Sequence, residues 1–164
     1  MPAFFVPGKP IAQPRHKFRV IGKGKAAIAV PYLPKSHAVH AWKALIASTY
    51  ERQRSESTQL DGPLLVTLGF VLPRPDAYTT KRGPNLRAWH DRKPDPDNLS
   101  KAVMDALTGV AWRDDAQVAQ LSVGKVMASA VEQMGVWIEV CQIATSPVTG
   151  AAFTPRLVTP GLFE

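Results

Sequence analysis

Residues 91–115 read DRKPDPDNLSKAVMDALTGVAWRDD, and the way this stretch folds decides where the rest of the chain must go. Asp95 followed by Pro96 signals a helix start, because Asp favours the N-cap and proline fits the first helical position, where its missing N–H costs nothing. Leu99, Val103, Ala106 and Leu107 then recur at helical spacing, and Thr108-Gly109 supplies a stop. Asp97 falls in the first turn. Lys101 and Asp105 follow it at one-turn intervals, so three charged side chains share a face turned away from the apolar stripe. After a short turn, Trp112-Arg113-Asp114-Asp115 leads into a strand-like run. The expectation is that this strand returns beside the helix and carries Asp114 or Asp115 back to Asp95 and Asp97.

Working outward, residues 64–72 (LLVTLGFVL) are almost wholly apolar, the pattern of a central strand buried on both faces. Residues 117–126 and 135–143 alternate well enough for two strands, expected to pair as an antiparallel hairpin through 129–133. Upstream, Ser36 offers an N-cap for a long helix with Val39, Trp42, Leu45, Ile46, Thr49 and Tyr50 at helical spacing as far as about Arg54. Residues 3–6 suggest a first strand, and 18–21 against 27–30 a hairpin around Gly22-Lys23-Gly24-Lys25. The class is therefore α+β: a single two-layer domain, with a mixed or antiparallel sheet and two main helices packed on it. Its order is β, basic hairpin, α, β, α, β, β. The domain is expected over residues 1–143, with 144–164 a Pro/Thr-rich tail that is poorly ordered or serves as a dimer arm.

The 164 residues carry a formal net charge of +7 and a pI near 9.8, which favours a polyanionic partner, nucleic acid before any other. No apolar run is long enough to span a bilayer, and the N-terminus lacks a signal-peptide pattern, so a cytoplasmic location is expected. The single Cys141 excludes an intramolecular disulfide and reads as a small hydrophobe in a strand. Arg15, Lys17 and Arg19, interleaved with Phe18 and Tyr32, suggest a DNA-backbone surface, or a solvated hairpin that can serve as one. The irregular stretch 73–94 carries Arg92 and Lys93, and its Tyr78 and Trp89 either stack on an unpaired base or rest on the domain. His37 and His40, one turn apart without a third ligand, read as surface residues.

Crowded carboxylates repel one another, a loss of stability that a divalent cation removes, and all-oxygen donors suit Mg²⁺ or Mn²⁺. Any one of these Asp could be only a helix cap, a dipole partner or a turn residue. Their conjunction with Lys101 in basic surroundings points instead to metal-assisted phosphodiester hydrolysis. A D-x-D pair also occurs in phosphatases, but there it follows a buried apolar strand, whereas Trp89-His90-Asp91-Arg92-Lys93-Pro94 precedes this one.

At these residues the chain resembles a known family. Asp95-x-Asp97-Asn98-Leu99-x-Lys101-Ala102, then Asp105-Ala106-Leu107-Thr108, then Trp112-x-Asp114-Asp115-Ala116-Gln117-Val118 is similar to the signature of the RusA-type Holliday junction resolvases. The resemblance implies a Mg²⁺-dependent homodimer that cuts four-way DNA junctions in recombination and repair, often encoded by bacterial phage. It carries the functional roles onto Asp95, Asp97, Asp115 and Lys101; the ion is then expected on the three Asp, with Asp114 a second ligand or outer partner. DNA contacts are expected from Arg15, Lys17, Arg19, Arg92, Lys93 and Lys101. The alternative is a non-catalytic junction-binding protein that keeps the scaffold.

Overall fold

The computed structural model describes residues 3–14, 17–22, 24, 27–32, 34, 36–54, 59–79 and 85–143. Along the chain lie β1 (Phe4–Pro7), β2 (Lys17–Ile21), β3 (Ile28–Tyr32), α1 (Ala38–Gln53), β4 (Leu64–Leu72), β5 (Ala88–Trp89), α2 (Pro96–Leu107), β6 (Val118–Met127) and β7 (Gly135–Gln142). Five strands make one mixed sheet in the order β1-β7-β4-β6-β5, and β2 pairs with β3 in a separate antiparallel hairpin. This is the α+β arrangement of two helices on a mixed sheet that the sequence predicts. The tail from residue 144 lies outside the described residues.

Strand β4 is the centre of the sheet, and all nine of its residues are buried, which is why its sequence shows no alternation. Leu64, Val66, Leu68, Phe70 and Leu72 point to one face, where α1 supplies Val39, Trp42 and Ile46 and α2 supplies Leu99, Val103 and Leu107 to the same core. Burying one Val, Leu, Ile or Phe side chain is worth roughly 1.5–3 kcal/mol, so this shared cluster fixes the rotation of both helices. Val71, Val126 and Ala128 form a small second cluster.

One expectation is corrected. Strands β6 and β7 do not form a hairpin: β7 pairs antiparallel with β4 and β1, while β6 runs parallel to β4. The crossover through α2 sets β6 against one edge of β4, and β5 takes the outer edge of β6 through Ala88–Met127 and Trp89–Val126. The open edge is that of β4 on the other side, and entering there buries Val136, Ile138 and Val140 in the main core. Alternation within β7 specifies its inner face but not which edge it joins.

The cap of α1 is His37 rather than Ser36, its Nδ1 accepting from Val39 N at 3.2 Å. Helix α2 stops where expected, at Thr108, followed by Gly109 with φ of +80°, a conformation side chains disfavour. Among the described residues no helix is long and apolar enough to cross a membrane.

Candidate active site

Helix α2 carries charged groups at both ends, and its buried face decides where each one points. With Leu99, Ala102, Val103, Ala106 and Leu107 buried, Asp97 and Lys101 face outward. Asp95 occupies the N-cap position, yet its side chain makes no capping hydrogen bond. Asp97, two residues on, accepts at Oδ1 from Asn98 Nδ2 at 3.3 Å. Both carboxylates sit where the helix dipole favours negative charge. Lys101 leans along the helix, its Nζ 3.8 Å from Asp105 Oδ1, and Lys43 on α1 holds Asp105 Oδ2 at 2.7 Å.

Basic groups and a cleft flank this acidic end. Arg92 stands over the Tyr78 ring at 5.8 Å and donates from Nε to the Tyr78 hydroxyl at 2.9 Å. That hydrogen bond, reinforced by the charge of Asp91, raises the Arg92 pKa above its usual value. Tyr78 is thereby engaged with Arg92, whereas Trp89 is 72% exposed on the edge strand β5. A cleft of about 500 Å³ is lined by Ala12, Gln13, Lys93, Pro94, Asp95 and Asn98. Gln13 N donates to Asn98 O at 2.8 Å, which ties the segment after β1 to the first turn of α2. Lys17 and Arg19 lie on β2, and Arg15 lies outside the described residues.

The other two Asp are elsewhere. Asp115 Oδ1 accepts from Trp112 Nε1 at 2.9 Å and from the Thr108 hydroxyl, so it belongs to the C-terminal end of α2. Asp114 caps the 3-10 turn that follows, accepting from Ala116 N at 2.8 Å, while Gln117 Oε1 accepts from Asp114 N at 3.2 Å. Asp97 and Thr108 are eleven residues apart, roughly 16 Å of helix at about 1.5 Å per residue. Among the described residues no three His, Cys, Asp or Glu side chains gather closely enough to hold a metal. The expectation that β6 returns Asp114 or Asp115 to Asp95 and Asp97 within one chain is therefore not met. The link between α2 and β6 is so short that β6 begins where the helix ends, and only its far end reaches the helix start.

What β6 does bring to the helix start is Lys125, a residue the sequence reading missed. Its Nζ donates to Pro94 O at 2.7 Å and to Arg92 O. The available signal was a lone lysine between Val123 and Val126 in a strand, in register with fully buried Phe70.

Chemically, the Asp95–Asp97 end suits Mg²⁺, which is commonly held by one or two carboxylates together with substrate phosphates. Asp95 fits this use because its carboxylate is not spent on the helix N-terminus. The Asp115 end fits poorly within one chain, since one oxygen already serves an indole and a hydroxyl.

Comparison with known proteins gives the family of the chain. The chain is similar to "Uncharacterized protein YqaN" of Bacillus subtilis (strain 168), 32% identical over 127 residues that cover 74% of this chain and 84% of that protein. Residues 7–140 match the sequence model of the family described as Endodeoxyribonuclease RusA. That span runs from the last residue of β1 into β7 and contains the strands between them, both helices and both acidic ends of α2. The chain belongs to the RusA endodeoxyribonuclease family.

Proposed function

We propose that this chain is a Mg²⁺-dependent endonuclease that cleaves four-way DNA junctions, with Mn²⁺ as a substitute ion, and that it acts in recombination and repair. The observation that carries this reading is the Asp95–Asp97 pair, its capping carboxylate unspent, beside a cleft and a basic turn. Asp95 and Asp97 would hold the ion, and when bound it supplies Lewis acidity toward the scissile phosphate and the attacking water. Lys101 lies one turn further along the exposed face and would contact the same phosphate. Arg92 and Lys93 would grip the strand on the other side of the helix start, where fixed positive charge meets the developing negative charge without reorganising.

A four-way junction is close to two-fold symmetric, so paired incisions suit a two-fold dimer with two sites. Asp115 enters the chemistry only from a second copy. If α2 helices of two copies run antiparallel, each chain's Asp115, with Asp114 behind it, would stand near the other chain's Asp95 and Asp97. A lone chain would favour the alternative, a junction binder without turnover.

One assay tests the reading: cleavage of a synthetic four-way junction with Mg²⁺, with Mn²⁺ and with a chelator. Metal-dependent symmetrical nicks are expected, with little cutting of linear duplex. Binding should also weaken steeply between 50 and 200 mM salt as phosphate contacts release counterions. Binding without cutting in either metal would sink the enzymatic reading.

A further inference from the structure

We infer that Lys125 is a positioning residue that sets the acidic start of α2, an inference that rests on the proposed metal site there. Its ammonium donates to the carbonyls of Arg92 and Pro94, the second at 2.7 Å. Its own backbone carbonyl accepts from His90 N at 3.2 Å. His90 is buried, and its Nδ1 in turn accepts from Arg92 N at 3.3 Å. Strand β6 thus holds the turn at 90, 92 and 94, through one lysine and the histidine beside it. Asp95 is the next residue.

Apart from this, the turn is held through side chains at its surface, Arg92 on the Tyr78 hydroxyl and ring. Asp91, Arg92 and Lys93 are exposed, Pro94 has no N–H, and the Asp95 side chain makes no capping bond that would lock its own position. Lys125 by contrast stands on a rigid strand, opposite fully buried Phe70 of β4. A lysine ammonium has three donors, two of which go to these carbonyls, and charge-assisted bonds of this kind are short and strong. Sites that hold a ligand within a fraction of an ångström need such support from a fixed element. Water can replace the ammonium at carbonyls in an exposed turn, so its loss would leave the core intact and loosen Asp95 and Asp97.

The test uses the full chain as Lys125→Met, which keeps the apolar stem, and Lys125→Arg, which can donate to the same carbonyls. Mn²⁺ affinity is measured from the free-ion paramagnetic resonance signal, and backbone hydrogen exchange is followed in peptides spanning 90–98 and in β4 and β7. For Lys125→Met the expected result is roughly 10-fold or greater weakening of Mn²⁺ binding, the usual cost of losing an outer partner. Exchange should be faster in 90–98 and unchanged in β4 and β7, and Lys125→Arg should recover most of both. Wild-type affinity with unchanged exchange in Lys125→Met would overturn the inference. So would exchange that rises equally across β4 and β7, because the lysine would then serve the fold as a whole. Failure of the metal site itself reads differently: wild type would bind no Mn²⁺, or Asp97→Asn would bind it as tightly as wild type. The exchange in 90–98 would still report whether Lys125 holds the turn.

Discussion

The two ends of α2 each present a pair of aspartates, and they put the same chemical group to different use. At the C-terminal end Asp115 takes the indole N–H of buried Trp112 and the Thr108 hydroxyl, and Asp114 caps a 3-10 turn. These carboxylates close off donors that the fold would otherwise leave unmet. At the N-terminal end Asp95 stands at the cap position without making the cap bond, and Asp97 projects into solvent. Its geometry is supplied from outside, by Lys125 and by Gln13 N on Asn98 O. One end spends its negative charge on local structure, and the other leaves it available for a ligand.

The largest expected effect tests whether the available end is the chemical one. Asp97→Asn should reduce junction cleavage by more than the roughly 100-fold that loss of an outer partner costs, while junction binding persists. A variant that cuts normally would break the contrast between the ends. Subunit mixing sharpens it. If the site combines Asp97 of one copy with Asp115 of another, mixing inactive Asp97→Asn with inactive Asp115→Asn leaves one intact site in each mixed dimer, and single nicks should return. If each site lies within one chain, both sites of the mixed dimer stay damaged and nothing is regained.

A smaller effect, on stability, should run the opposite way. Asp115→Ala leaves the Nε1 of fully buried Trp112 without its acceptor, at a cost of about 1–3 kcal/mol. Asp95→Ala, at a nominal cap, should cost less than about 0.5 kcal/mol, well under the usual value for a capping Asp, because there is no side-chain bond to lose. Thermal or urea unfolding of the two variants compares them directly. Equal losses would mean that Asp95 has a structural partner after all.

The legibility of these features in the sequence follows the range of the interactions that create them. The start and stop of α2 are marked by neighbouring residues, Asp95-Pro96 and Thr108-Gly109, and they fall where local chemistry puts them. The burial of β4 was legible for the same reason, because nine consecutive residues carry it. The partner of β7 was not, since Val136, Ile138 and Val140 would alternate identically in a hairpin with β6. The site divides along the same line. Asp97 and Lys101 on the outer face of α2 follow from helical spacing, whereas the end at which Asp115 lies depends on the direction of β6 relative to the helix. Lys125 escaped because its role exists only once β6 is laid against residues 92–94, 31 to 33 residues away in sequence.

The smallest expected effect concerns how the sheet edge near the helix start is held. The Arg87 guanidinium and the Ser129 N–H both reach Glu132, which ties the segment leading into β5 to the turn after β6. Burial pushes the Glu132 pKa up, but the hydrogen bonds from Arg87 and Ser129 outweigh it, and the net position is below the usual 4.5. The unfolded chain therefore takes up this proton first as pH falls. The stabilisation is fully present above about pH 4.5 and is lost as pH drops through the lowered folded value. Glu132→Gln should cost about 1 kcal/mol or less at neutral pH and flatten the acid limb of the stability curve below pH 4.5. As wild type is acidified below pH 4.5, hydrogen exchange should rise in 85–91 before it rises around Trp112. If both regions open together on acidification, the ion pair does not stabilise this edge separately, and the two ends of α2 share one local stability.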